Sequence, residues 1–204
     1  MRLGLFGGSF DPVHYGHLLL AEACREQLPL DAVWFLPAAV APHKQDQTPA
    51  SPEQRVEMLR LAIGGQSAFD VCDLELKRGG VSYTVDTLRE LKTQDPVREL
   101  FLLLGADSLI DLPTWREAEA ICQLAMPVVV GRPGSAEPDF ERLAGIASPQ
   151  RIEQMKWHRV EMPQIGLSSR DIRRRVAEGR SIRYMTPRGV EEYVKAARIY
   201  SGSH

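Results

Sequence analysis

The sequence predicts an α/β fold: a doubly wound parallel sheet with helices on both faces and a small helical C-terminal part. Two observations carry that reading. The runs Leu100 to Leu104 (LFLLL) and Pro127 to Val130 (PVVV) are apolar without alternation, as strands buried on both faces must be. Segments of helical period stand between such runs, and helices interleaved with buried strands imply parallel pairing with helices on either side.

The elements follow in order. Arg2 to Phe6 reads as a buried strand, and Leu18 to Leu28 carries a broad apolar stripe suited to a helix that Pro29 ends. Ala32 to Leu36 is a second buried strand, and the proline-rich, aperiodic PAAVAPHKQDQTPASP is a loop. Ser51-Pro52 supplies an N-cap and a first helical residue for a helix in which Val56, Leu59, Ala62 and Ile63 keep helical spacing; Gly64-Gly65 stops it. A strand is expected over Phe69 to Leu76 and a helix over Thr84 to Lys92. After the LFLLL strand come a helix over Trp115 to Leu124 and the strand at Pro127 to Val130. Beyond GRPG, a helix candidate covers Phe140 to Gly145 and a short strand covers His158 to Glu161. A further helix should begin at Ser169, behind a capping box variant of Ser168 and Asp171, and a last one covers Pro187 to Ile199 with Thr186 as its cap. With no internal repeat and no linker, residues 1–204 are expected to form one domain whose helical C-terminal part starts at about residue 165.

Composition narrows the class without choosing a function. An apolar fraction of 44% and a charged fraction of 25% suit a soluble globular chain. The formal charge of -2 argues against broad nucleic-acid or membrane-surface binding. Cys24, Cys72 and Cys122 form no C-x-x-C pair and sit among apolar neighbours, so buried free thiols in a reducing cytosol are expected. Neither a signal peptide nor a bilayer-spanning run is legible, which points to the cytoplasm. Trp34 and Trp157 are read as core residues. Homo-oligomerisation is left open.

In open α/β sheets ligands sit beyond the carboxyl ends of the strands, so the first loop, GGSFDPVHYGH, carries the chemistry. Gly7 and Gly8 allow close approach to backbone amides, and the start of the following helix favours an anion. The string fits neither G-x-G-x-x-G nor G-x-x-x-x-G-K-[ST]. His14 and His17, three apart, could hold a phosphate, pack or cap in the core, or grip a metal with help from His43 and Asp11.

This string resembles the mark of the nucleotidyltransferase superfamily, whose tetrapeptide is here His14-Tyr15-Gly16-His17. In order behind it come FLPAAVAPHK, ELKRGGVSYTVDTL, LLLGADSLIDLPTW, VVGRPG and LSSRDIR, and together they resemble the bacterial nicotinate-mononucleotide adenylyltransferase family over almost the whole chain. Ala41 stands where that family often has a second proline, and Arg170 where it often has threonine. The resemblance implies a Rossmann-like fold and transfer of the adenylyl group of ATP to nicotinate mononucleotide, giving nicotinic acid adenine dinucleotide and pyrophosphate. It places His14 and His17 on the ATP phosphates with Gly7, Gly8, Ser9 and Phe10, and brings His43 and Lys44 over them. Ser169 and Arg173 meet the triphosphate, Gly105 and Asp107 the adenosine ribose, and Arg132 lies near the nucleotide. Ser82, Tyr83, Thr84, Trp115 and Arg116 take the mononucleotide, Trp115 stacking on its pyridine ring. Catalysis falls to His14, His17, Lys44 and Arg173. Mg2+ is expected with ATP, held by phosphates and water and by no protein ligand. Weighed beside this are a relative using nicotinamide mononucleotide or pantetheine phosphate, and a non-catalytic nucleotide- or RNA-binding module. The SYT and PTW segments speak against the first; the second arises because an H-x-G-H turn also occurs in aminoacyl-tRNA synthetases, and the absence here of their second, lysine-bearing signature and the lack of basic charge speak against it.

Overall fold

A computed structural model describes residues 1–40, 50–131 and 138–201, with the backbone alone of Ala106 and Asp107. His43, Lys44 and Arg132 lie outside the described residues. The strands β1 (Arg2–Gly8), β2 (Ala32–Pro37), β3 (Phe69–Val71), β4 (Glu99–Gly105), β5 (Met126–Gly131) and β6 (Val160–Glu161) form a six-stranded sheet of order β3-β2-β1-β4-β5-β6. The pairs β1–β4, β4–β5 and β5–β6 are parallel, with Leu3 opposite Leu100, Leu103 opposite Val128 and Val130 opposite Val160. Helices α1 (Tyr15–Gln27), α2 (Pro52–Ile63), α3 (Leu74–Arg78), α4 (Thr84–Gln94), α5 (Ala106–Asp111), α6 (Ala118–Leu124), α7 (Pro149–Trp157), α8 (Ser169–Ala177) and α9 (Arg188–Ala196) stand between and after the strands. This is the expected α/β architecture, doubly wound and Rossmann-like, and its strand order reverses direction after β1.

The residues pack as two compact units. One comprises Met1–Phe6, Leu20–Trp34 and Ser82–Gln164. Its core is Leu3, Leu5, Val33, Leu100 to Leu104 and Val128 to Val130, backed by Leu88, Leu91 and Ile121. Each such side chain contributes roughly 1.5–3 kcal/mol by leaving water. A Cβ on Gly4 would come within 2.9 Å of Leu30 Cδ1, so a larger residue at this strand position would have to push the Leu30 side chain aside. The other unit comprises Gly7–Leu19, Phe35–Val81 and Ile165–His204, and buries Phe10, Phe35, Met58, Leu59, Ile172, Val190 and Val194.

Helix starts follow the capping residues. Ser51 Oγ accepts from the Gln54 N–H while Gln54 Oε1 accepts from the Ser51 N–H, with Pro52 in the first turn of α2. Ser168 Oγ accepts from the Asp171 N–H, and α8 begins at Ser169 as expected. Elsewhere the structure departs from expectation. The strand expected over Phe69 to Leu76 ends at Val71, because Leu74 already belongs to α3. The helix expected from Trp115 starts only at Ala118, since Glu117 has a left-handed φ of 53°. Phe140 to Gly145 holds a 3-10 turn over Phe140–Leu143. Pro187, not Thr186, is the N-cap of α9; the Thr186 hydroxyl donates to the Pro187 carbonyl.

Two side-chain expectations also need correcting. Trp157 is 86% exposed at the end of α7 and is no core residue, and Trp34 is half-buried with the Arg98 guanidinium 5.1 Å from its ring centroid. Cys24 and Cys122 are buried free thiols, pushed by burial up to about 12 and about 11, whereas Cys72 is half-buried. Among the described residues no helix is long and apolar enough to cross a membrane.

Candidate active site

The turn from β1 into α1 lies in the second unit and is built around two aromatic contacts. Phe10, at a left-handed φ of 49° and 1% exposed, sets its ring against Phe35 at 5.6 Å and edge-on to His17 at 5.1 Å. A Cβ on Gly8 would lie 2.9 Å from Phe10 Cζ, so the glycine makes room for that ring. His14 immediately precedes α1 and His17 is its third residue. The His14 N–H donates to His17 Nδ1 at 3.2 Å, and the His17 N–H donates to the His14 carbonyl at 2.9 Å. The first bond requires a bare Nδ1, so the proton of the His17 ring resides on Nε2. The two imidazoles stack at 3.7 Å. No acidic side chain stands in the first turn of α1, so the positive end of its dipole is left unopposed by its own residues.

The glycine inside this tetrapeptide has a steric cause. A Cβ on Gly16 would lie 3.0 Å from both Cε1 and Nδ1 of His14 and 3.4 Å from Ile165 Cγ2. Gly16→Ala is therefore expected to displace the buried His14 ring by a few tenths of an ångström and lower kcat about tenfold, because small misplacements are amplified in rate. Steady-state kinetics checks this, and wild-type turnover would refute the role given to ring placement.

Side chains from distant segments of the same unit hold the turn by its carbonyls. Arg55 Nη1 of α2 donates to the Ser9 carbonyl at 2.9 Å, Arg173 Nη1 of α8 to the Asp11 carbonyl at 2.7 Å, and Ser169 Oγ to the Pro12 carbonyl at 2.8 Å. The structure thus brings Ser169 and Arg173 onto the histidine turn. Asp11, 1% exposed, accepts from the Tyr200 hydroxyl at 2.5 Å, and its Oδ2 lies 3.9 Å from Arg173 Nη1. Burial pushes the Asp11 carboxyl above the ordinary carboxylate range, against the pull of the Tyr200 hydrogen bond and the Arg173 and Arg55 charges. Burial likewise lowers Arg55, and burial together with Asp11 raises the Tyr200 phenol. Sequence reasoning missed Arg55 and Tyr200. Arg55 did leave a signal: it is a charged residue four before Leu59 on the face of α2 that carries the apolar stripe.

The residues expected to take the mononucleotide lie in the first unit. Ser82 is buried, Tyr83 is the N-cap of α4 and Thr84 its first residue. The Arg116 guanidinium stands 4.7 Å from the Tyr83 ring centroid, with Nη1 3.5 Å from Asp86 Oδ2. Trp115 is half-buried, and its backbone N–H donates to the Leu112 carbonyl at 3.0 Å. The neighbouring Glu117 is clamped by Arg89 at 2.5 and 3.1 Å, which holds the left-handed bend after Arg116. Gly105 ends β4 and caps α5, so the backbone of Asp107 lies in the first turn of that helix and Asp107 is not its N-cap.

Known proteins resemble the chain along most of its length. The cytidylyltransferase-like family model matches residues 5–175. A "Probable nicotinate-nucleotide adenylyltransferase" of Thermus thermophilus is 46% identical over 200 residues, covering 98% of this chain and 100% of that one. The protein of the same name from Rhodopirellula baltica is 44% identical over 198 residues, covering 97% and 92%. Among solved structures, that of Plasmodium falciparum nicotinic acid mononucleotide adenylyltransferase complexed with NaAD matches with a TM-score of 0.73 at 18% identity, over 98% of this chain and 97% of that one, a likeness of fold. Matches of this identity along the full length, on a chain whose first turn is built as described, identify it as a member of the nicotinate-nucleotide adenylyltransferase family of nucleotidyltransferases.

Proposed function

We infer that this chain transfers the adenylyl group of ATP to nicotinate mononucleotide, yielding nicotinic acid adenine dinucleotide and pyrophosphate, a step of NAD biosynthesis. The observation that carries the reading is the histidine turn with Ser169 and Arg173 seated on it, in a chain of this family. A phosphate oxygen of the mononucleotide attacks the α-phosphorus of ATP in line and pyrophosphate leaves. Such a nucleophile needs no strong base near neutral pH, so catalysis consists of positioning and of stabilising charge on phosphoryl oxygens. A stacked imidazole pair at a helix start, on a turn whose Asp11 carbonyl accepts from the Arg173 guanidinium, suits that task.

In this reading Gly7, Gly8, Ser9, Phe10, His14, His17, Ser169 and Arg173 take the triphosphate, with His17 Nε2 donating to the α-phosphate in the transition state. Lys44 and His43 join them, Gly105 and Asp107 serve the adenosine ribose, and Arg132 is taken to lie near the nucleotide. Ser82, Tyr83, Thr84, Trp115 and Arg116 receive the mononucleotide, whose negative carboxylate suits the amides at the start of α4 and near Arg116. Among the described residues no group of three His, Cys, Asp or Glu side chains could hold a metal ion. The divalent cation that such chemistry uses, Mg2+ in our reading, comes with ATP on phosphate oxygens and water. We treat residues 1–204 as one cytoplasmic catalytic domain whose helical part from about residue 165 supplies Ser169 and Arg173.

The deciding measurement is pyrophosphate release with ATP and each acceptor in turn. Nicotinate mononucleotide is expected to give kcat/KM at least about tenfold above nicotinamide mononucleotide, since a site whose donors meet both carboxylate oxygens sets one of those donors against the amide NH2, which cannot accept. Equal values would overturn the acid-specific reading, and turnover of pantetheine phosphate alone would move the chain to a different reaction.

A further inference from the structure

The tail after α9 is bent at two non-glycine positions. Arg198 and Tyr200 have φ values of 52° and 66°, in the left-handed region where such residues are strained. Strain of this kind persists only where other contacts hold it. Here the bend seats the buried Ile199 and delivers the Tyr200 hydroxyl to Asp11 Oδ1 at 2.5 Å. The charged and titratable groups that face Asp11 are Arg55 from α2, Arg173 from α8 and Tyr200 from the tail. Asp11 itself belongs to the turn whose Ser9, Asp11 and Pro12 carbonyls are gripped from α2 and α8.

A phenylalanine would fill the volume of the Tyr200 ring equally well, so the hydroxyl is what needs a reason. A phenol bonded to a buried carboxylate fixes the rotamer of that carboxylate, and the same carboxylate stands 3.9 Å from the guanidinium of Arg173. We propose that Tyr200 is a positioning residue for adenylyl transfer, its hydroxyl acting through Asp11 to fix the phosphate turn and the Arg173 guanidinium seated on it. The proposal rests on the adenylyl-transfer reading and extends it to a residue 189 positions from its partner.

Tyr200→Phe tests it, assayed well below its melting temperature. Expected are a fall in kcat of about tenfold and a KM for nicotinate mononucleotide within about twofold of wild type, since the acceptor residues are elsewhere. The Tyr200 bond favours the Asp11 carboxylate, so its loss raises the Asp11 pKa further and the acid limb of kcat/KM for ATP shifts to higher pH. Asp11→Asn is expected to lose at least as much, and combining it with Tyr200→Phe to cost nothing extra, as residues acting through one another do. Should Tyr200→Phe not fold, the near-isosteric Asp11→Asn carries the kcat readout, and its acid limb is expected to disappear rather than shift, because asparagine does not titrate. An unchanged kcat and acid limb, or full additivity of the two changes, overturns the proposal. Calorimetric binding of a non-hydrolysable α,β-methylene ATP analogue separates it from the activity reading. Wild-type protein that binds the analogue but turns over no mononucleotide defeats that reading, whereas binding about fivefold weaker in Tyr200→Phe still supports the positioning role and equal binding sinks it.

Discussion

His17→Asn is expected to lower kcat by about 10²–10³-fold while leaving the melting temperature within a few degrees of wild type. The loss is that of one preorganised donor to a developing oxyanion. Asparagine is chosen because its Oδ1 stands where Nδ1 of the imidazole stands, so it can still accept from the His14 N–H and keep the start of α1 capped. What it lacks is the donor at Nε2. His17→Ala removes both, so a larger fall in stability with a similar fall in kcat would separate the capping role from the catalytic one. Single-turnover kinetics with saturating ATP reads the chemical step directly, and near-normal turnover of the asparagine variant would falsify the transition-state role of the ring.

Arg55→Leu is expected to give the largest stability loss, about 3–5 kcal/mol, the range for breaking a buried charged arrangement from one side. In a chain of this length that is roughly 6–20 °C in melting temperature. Leucine fills part of the volume but leaves the Ser9 carbonyl without its donor and Asp11 with one cation fewer. The effect carries a pH signature. The folded pKa of Asp11 is raised, so its contribution to stability is fully present below its unfolded value and is lost as pH rises through the folded one. Losing the Arg55 charge raises the folded pKa further and deepens the penalty at neutral pH. The gap between variant and wild type should therefore narrow as the solution is acidified, which thermal melts across a pH series check. A gap that is constant or widens toward acid would show that the Arg55 charge does not act on Asp11.

Much of the scaffold can be read in the residues because its causes are local. LFLLL and MPVVV announce strands buried on both faces, and Ser51-Pro52 and Ser168 announce helix starts that the structure realises through their own side chains. The same Ser-Pro signal at Ser148-Pro149 is harder to read, since α7 buries only Met155 and so shows almost no apolar stripe. Trp157 misleads for a related reason: an aromatic at the end of a short polar helix has no opposing face to enter. The histidine turn is legible because its spacing is local and its glycines answer to neighbours within a few residues. Arg55 and Tyr200 reach it across 46 and 189 positions, and no periodicity reports a pairing of that kind.

Those separations also have a consequence in time. The turn at residues 9–12 is made before the groups that grip its carbonyls and carboxylate, which sit at positions 55, 169, 173 and 200. At translation rates of about 5–20 residues per second, Tyr200 follows Asp11 by roughly 10–40 s. The turn is thus made well before it is finished, and the strand that precedes it must wait with its end unassembled until residue 200 has emerged and the Tyr200 hydroxyl can reach Asp11.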